Sequence, residues 1–201
     1  MQTFATPAPI AAILDIPAGR VQFIAADRAD TAVEVLPANA AQSRDVKAAE
    51  KIKVDFADGV LRITTEAGNK ILGSSGAVEV TVQLPAGSRV EAKAASAEFR
   101  GVGRLGDIAF EAAQSDIKID EAAHVRLVTQ AGDVTVGRLN GSAEITTLKG
   151  DINVSVAAGL SAALDAGTSY GRVNNALRNA DAPDLTIRAT TSYGDITARS
   201  L

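Results

Sequence analysis

The chain has no cysteine and no tryptophan, one histidine, one methionine, and an aromatic content of 3%. Without cysteine there is no disulfide framework and no thiolate nucleophile. With a single histidine besides, a structural zinc site built from four His or Cys ligands is excluded. Scarce aromatics leave Ala, Val, Ile and Leu to form the interior, since hydrophobic residues still make up 46% of the chain. That palette suits thin stacked coils better than a broad globular core. No stretch approaches the ~20 apolar residues of a membrane helix. The opening Met1-Gln2-Thr3-Phe4 lacks a basic segment, and the first positive charge is Arg20. It does not read as a signal peptide, so the cytoplasm is the expected compartment and the cell surface the alternative. A net charge of -4 argues against nucleic acid or an anionic membrane as partner. No Walker A, G-x-S-x-G or H-E-x-x-H signature occurs. Gly101-Val102-Gly103-Arg104-Leu105-Gly106 matches a dinucleotide fingerprint in letters only, because no βαβ context surrounds it.

What the chain does have is a recurring phrase. Thr129-Gln130-Ala131-Gly132-Asp133-Val134 returns as Thr147-Leu148-Lys149-Gly150-Asp151-Ile152 and as Thr191-Ser192-Tyr193-Gly194-Asp195-Ile196. Thr168-Ser169-Tyr170-Gly171-Arg172-Val173 is a variant with Arg at the Asp place. Weaker copies centre on Asp116 and Glu98. From 98 through 116, 133, 151 and 172 to 195, the steps are 18, 17, 18, 21 and 23 residues. A near-constant period of this size marks stacked units that bury their faces on one another. Inside each unit apolar residues alternate, as in Val125, Leu127, Thr129 and Ile152, Val154, Val156. Period-2 alternation predicts strands with one buried face. Gly permits a tight bend, and Asp can bond its own backbone to finish the turn. The units are too short for a crossover helix. The expected fold is all-β: a right-handed, single-chain β-solenoid spanning residues 78–201.

Residues 1–77 have a different texture and read as an N-terminal β-rich cap with one short helix. Ala11–Ile16 and Val21–Ile24 are expected to form a hairpin across Pro17-Ala18-Gly19, followed by a strand at Thr31–Leu36. Ser43–Glu50 is the helix candidate, with Ser43 as its cap. Asp58-Gly59 between two alternating segments predicts a hairpin. The Gly/Ser-rich stretch Asn69–Ala77 reads as a loop. The cap is needed because an open coil offers unpaired backbone groups to other chains. The C-terminal end, finishing at Arg199-Ser200-Leu201 one coil after Asp195, shows no cap and is the expected contact surface.

Few residues suggest chemistry. His124 sits at a predicted corner with no nucleophile or acid near it in sequence, so a solvated corner residue outweighs a general base. Asp116, Asp133 and Asp151 should stack about 4.8 Å apart. Such a ladder could hold Ca²⁺. One carboxylate per coil, with Arg172 entering the same column, favours turn formation instead. Tyr170 and Tyr193 occupy equivalent places and should stack as a cross-strand pair. The segment 174–184 lengthens one coil and reads as a surface loop, with a binding loop as the alternative. No catalytic, cofactor or metal residues are assigned.

The Thr-Ser-Tyr-Gly-Asp-Ile and Gly-Asp-Val/Ile repeats, preceded by Val80-Thr81-Val82-Gln83-Leu84-Pro85-Ala86-Gly87-Ser88, resemble the bacterial "putative adhesin" family of β-solenoid domains. The Phe4-Ala5-Thr6-Pro7-Ala8-Pro9-Ile10 opening is similar to its actinobacterial members. The resemblance implies a fold rather than an activity. The expected role is therefore a non-enzymatic scaffold that binds a protein partner, by edge pairing at the C-terminal coil. The alternative is a surface adhesin-like module for carbohydrate or an envelope component.

Overall fold

The computed structural model describes residues 1–65 and 76–201. Of the stretch expected as a loop at Asn69–Ala77, residues 69–75 lie outside the described residues. Among the described residues there are seventeen strands and one helix. The fold is the expected β-solenoid. Each coil consists of two strands joined by the Gly-Asp corner, and a second short corner returns the chain to the next coil.

Counting from the N-terminal end, β5 (Val60–Thr65) and β6 (Val78–Pro85) form the first parallel layer, and β2 (Ala11–Ala26) lies on both. β7 (Arg89–Arg104) pairs in parallel along β2. Then come β8 (Ile108–Gln114) with β9 (Ile117–Ala122), and β10 (Val125–Ala131) with β11 (Val134–Leu139). β12 (Ala143–Thr146) with β13 (Ile152–Val156) follows. The proximal end is closed by antiparallel strands. β4 (Ile52–Ala57) covers β5, and β3 (Asp30–Pro37) covers β6 and is covered in turn by β1 (Gln2–Ala5). Helix α1 (Ser43–Glu50) packs on β3 and β6.

Two local expectations change. Residues 11–26 are not a hairpin but one coil, bent at Gly19 with φ +140°. A Cβ there would lie 1.8 Å from the Val78 carbonyl oxygen of the next layer. Gly19 thus does the work of the later corner glycines, and a turn signal alone does not tell a hairpin from a corner. The helix forms where expected, but its capping position is Gln42, which makes no side-chain cap bond. The Asp58-Gly59 hairpin between β4 and β5 forms as expected.

The larger finding concerns layer order. β12 and β13 do not pair with the next strands in the chain, β14 (Ala162–Tyr170) and β15 (Val173–Ala176). They pair with the last two, β16 (Leu185–Tyr193) and β17 (Ile196–Ser200). β14 and β15 then pair on the far side of β16 and β17. The chain skips one layer, builds the outermost one, and comes back to fill the gap. The final coil is therefore internal, and the distal edge of the stack is residues 162–176. This corrects the expectation that the C-terminal coil is the open edge. The lengthened steps of 21 and 23 residues carry the extra reach, because a skipped layer adds about 4.8 Å to the climb.

Because the chain has no native cysteine, the order is open to a direct check. Thr146 and Thr190 are register partners across β12 and β16. Thr190 is in turn the partner of Gly167 on β14. Thr146→Cys with Thr190→Cys is expected to form an intrachain disulfide. Thr146→Cys with Gly167→Cys, two layers apart at about 9.6 Å, is expected not to. Non-reducing mass spectrometry reads both, and the opposite pattern would restore chain-order stacking.

The core is a set of columns running along the stack. One column is Leu61, Ala12, Val90, Ile108, Val125, Ala143 and Ile187, all buried. A second column along the other strand of each coil includes Phe99, Ile117, Val134, Ile152 and Ile196. Beside the corner runs a threonine column. Thr129, Thr147 and Thr191 are buried, and their hydroxyls donate to the carbonyls of Ala131, Lys149 and Gly150 at 3.0, 3.3 and 3.1 Å. The repeated Thr thus finds an acceptor for its buried hydroxyl at the corner, where the Ala131 and Lys149 carbonyls also accept the Ser115 and Gly132 N–H groups of the neighbouring layer. Among the described residues no buried side-chain nitrogen or oxygen lacks a partner.

Candidate functional site

The predicted Asp column exists, and its hydrogen bonds show what it does. The Asp133 N–H donates to Asp116 Oδ1 at 3.1 Å, and the Asp151 N–H to Asp133 Oδ1 at 2.8 Å. The Asp195 N–H donates to Asp151 Oδ1 at 2.7 Å. Each carboxylate thus accepts the backbone of the following layer rather than finishing its own turn. Among the described residues no three His, Cys, Asp or Glu side chains come together to hold a metal ion. The column ends at Arg172. Its N–H donates to Asp195 Oδ1 at 2.8 Å, and its guanidinium lies 3.3 Å from Asp195 Oδ2. The outermost layer has no layer beyond it and needs no acceptor. Arg at the Asp place was the sequence signal for the end of the stack, and sequence reasoning passed over it.

The distal edge itself is open. Among the described residues the only strand that pairs with β14 is β16 and the only one that pairs with β15 is β17, although the Ala162 N–H at the start of β14 donates to the Arg178 carbonyl at 3.1 Å. In the core column Ile196 is 1% exposed, while its neighbour Val173 is 43% exposed. Leu164 and Ala166 are partly buried where their neighbours Ile187 and Ala189 are fully so. Asn175 stands in a column filled by Ala198, Val154 and Val136 elsewhere, and it is exposed. Tyr170 and Tyr193 stack at 4.9 Å with an interplanar angle of 3°, and are 68% and 56% exposed. They form a flat aromatic step next to the edge, as the repeat placed them.

The segment 174–184 divides between β15 and a connection back to β16. Leu177 packs against the core. Its end is fastened by a clasp in which the Ser161 N–H and hydroxyl both donate to Asp184 Oδ2 at 2.8 Å. The Asp184 N–H returns a bond to the Ser161 carbonyl at 3.1 Å. The two connections that make the layer skip are thus tied to each other. The bond from the Ser161 backbone, and then that from its hydroxyl, holds the Asp184 carboxyl below the usual carboxylate range. A lowered folded pKa means that the carboxylate form stabilises the fold. That contribution is complete above the ordinary value near 4 and is lost as pH falls through the lowered value. The melting temperatures of the parent and Asp184→Ala are therefore expected to differ most near neutrality and to converge in acid. A gap that stays constant down to that range would refute the clasp.

A second region lies along the return corners, which the repeat placed, and forms a groove that the sequence did not indicate. The return corners stack Arg89, Asp107, His124, Ser142 and Thr186 in consecutive layers. They border an open groove of about 720 Å³ whose charged lining includes Arg62, Glu91, Arg126, Glu144 and Arg188. Asp107, His124 and Ser142 are separated in sequence but adjacent here. Their bonding is not that of a nucleophile and base. His124 Nδ1 accepts the Ser142 N–H at 3.0 Å, so the ring proton of neutral imidazole resides on Nε2. The Ser142 oxygen faces the Thr186 N–H at 3.5 Å. Asp107 is 3.9 Å from Arg89. Most of the other charges pair with each other, as in Arg126–Glu144 at 3.8 Å and Arg188–Asp165 at 3.3 Å.

Residues 104–200 match the family model described as Toastrack DUF4097. The match runs from the end of β7 to the end of β17 and so includes both inverted layers. No curated protein matches the chain. Among solved structures, it is similar to a "putative cell adhesion protein" from Clostridium sporogenes, at 13% identity and TM-score 0.43, covering 100% of this chain and 98% of that one. A "putative adhesin" from Bacteroides fragilis is similar at 12% identity and TM-score 0.49, covering 98% and 95%. A "putative lipid binding protein" from Parabacteroides distasonis is similar at 8% identity and TM-score 0.38, with the same coverage. Among the described residues no helix is long and apolar enough to cross a membrane.

Proposed function

We propose that this chain is a non-enzymatic scaffold that holds a protein partner by strand pairing at the distal end of its stack. The observation that carries this reading is the open edge. Among the described residues β14 and β15 each pair with a strand on one side alone, beyond the single Ala162–Arg178 bond, and the core column beside them is uncovered at Val173. An added strand would satisfy the free backbone groups and cover that column. The ligand that fits is an extended polypeptide segment with small apolar side chains at alternate positions. In this reading residues 1–77 act as the cap and residues 78–201 as the working stack. The antiparallel strands β1, β3 and β4 and helix α1 all fall within 1–77, although β2 and β5 also lay down parallel layers. The tautomer and partners of His124 support the absence of hydrolytic chemistry in the groove.

Val173→Lys with Asn175→Lys puts two charges on the exposed edge, the device by which edge strands avoid pairing. A partner captured by the parent chain is expected to bind this variant at least about tenfold more weakly. Partner binding should also slow hydrogen exchange in 162–176. Unchanged binding, with protection elsewhere, would move the site.

The Tyr170–Tyr193 step favours a second reading, an adhesin-like module in which a sugar ring lies on the exposed aromatic face. Loss of glycan binding on Tyr170→Ala, together with fractionation to the cell surface, would favour it over the scaffold.

A further inference from the structure

The two ends of the stack are unequal. The proximal end is closed by the chain's own antiparallel strands, β4 over β5 and β3 over β6. Among the described residues nothing covers the outer side of β15, where Val173–Ala176 are all exposed. The edge also lacks the usual guards. β15 carries no charge and no proline, and β14 has one outward charge, Asp165, which pairs with Arg188 of the layer beneath. An edge of this kind is open to pairing unless something covers it.

We propose that the cover is a second copy of this chain, meeting the first distal end to distal end. The inference rests on the reading of this edge as a pairing surface and names its occupant. Three observations select it. First, the proximal end finishes in antiparallel strands, β1 on β3 and β4 on β5, so it breaks the parallel sense of the stack and offers no template on which a copy could continue it head to tail. A contact between distal ends closes at two, as an isologous two-fold interface does. Second, the Asp ladder stops at Arg172. A further parallel coil would place its corner N–H against an Arg instead of a carboxylate, so the edge does not invite another layer of the same kind. Third, the coil that β14 and β15 form closes on itself, with the Ala162 N–H at its start donating to the Arg178 carbonyl at its end, so β15 must lead back against the direction of β14. A two-fold axis perpendicular to the stack therefore brings each against a strand of opposite direction, and antiparallel pairing satisfies the free backbone groups.

Charge then chooses between the two such axes. An axis along the strands would set β14 on β15 of the partner and bring both Arg172 corners together. These side chains are 83% exposed, and although each is paired with Asp195 of the layer beneath, two guanidinium groups facing each other gain no new partner there. An axis across the strands sets β14 on β14 and β15 on β15. It carries each Arg172 to the opposite end of the interface, where the connection 177–184 supplies Asp181. Val173 of each copy then covers the open core column of the other.

The test is sedimentation of the full chain over a range of micromolar concentrations. The expected result is a concentration-dependent dimer that Val173→Lys with Asn175→Lys weakens about tenfold or more. Gly167→Cys, on exposed β14, should cross-link two copies through a short bifunctional thiol reagent. Val128→Cys, in mid-stack, should not. This second arm stands even if the lysine variant folds poorly. A monomer at all concentrations overturns the inference, as does a dimer that cross-links through Val128→Cys. If the chain is monomeric and the lysine variant still loses a different protein partner, only the second-copy assignment fails. If the variant changes neither, the edge reading fails with it.

Discussion

Phe99→Ala is expected to destabilise the fold by about 4 kcal/mol, the range for emptying a buried phenylalanine site. Phe99 is fully buried, with ring centroids 5.9 Å from Phe23 and 4.7 Å from Phe110. Three of the five phenylalanines therefore stand in consecutive layers, β2, β7 and β8. The side chains around them belong to strands hydrogen-bonded on both sides, so the site cannot collapse freely, and the cavity term should be near its full size. A melt checks this. At about 2–4 °C per kcal/mol for a chain of this length, the midpoint should fall by roughly 8–16 °C. A fall of under about 3 °C would mean that the layers around Phe99 close on the space, and that the stack is less rigid than its registers imply.

Gly194→Ala is the second large effect, expected at about 3 kcal/mol. Gly194 has φ +150°, and a Cβ there would lie 2.1 Å from the Gly150 carbonyl oxygen. That atom is backbone, fixed in the neighbouring layer, so the strained φ and the overlap add. The contact exists only because the final coil lies against β12 and β13. Gly167→Ala is the control: its added Cβ would meet nothing closer than 3.9 Å. Removing backbone freedom from the unfolded chain should leave that variant neutral or slightly more stable. Thermal melts of the pair should separate by roughly 6–12 °C. Equal melts would show that the corner glycines are free of the neighbouring layer.

Several features were legible before any coordinates. The alternation of Val125, Leu127 and Thr129 gave strands, and the recurrence of Gly-Asp gave corners. The place of Tyr170 and Tyr193 in that recurrence gave their stack. These are local or periodic properties, and a period fixes which residues share a column. The role of Asp151 was only half legible: a carboxylate at a bend predicts a bond to backbone, but its partner is the Asp195 N–H, 44 residues away. Asp107, His124 and Ser142 were legible as members of the return corners, but their bonding was not, because it depends on the register of those corners and on which ring nitrogen meets the Ser142 N–H.

Periodicity by itself determined that this chain is a stack of two-strand coils with small apolar interiors. Only the tertiary structure decided the order of the last two layers. Leu164, Ala166, Thr168 and Val173 present nearly the same inward pattern as Ile187, Ala189, Thr191 and Ile196, so local preference cannot rank them. Position is settled by what each coil meets on both sides. The coil with Asp195 can accept the next layer's N–H and bury its column completely. The coil with Arg172, and with Asn175 at an inward place, can do neither, and so it lies outside.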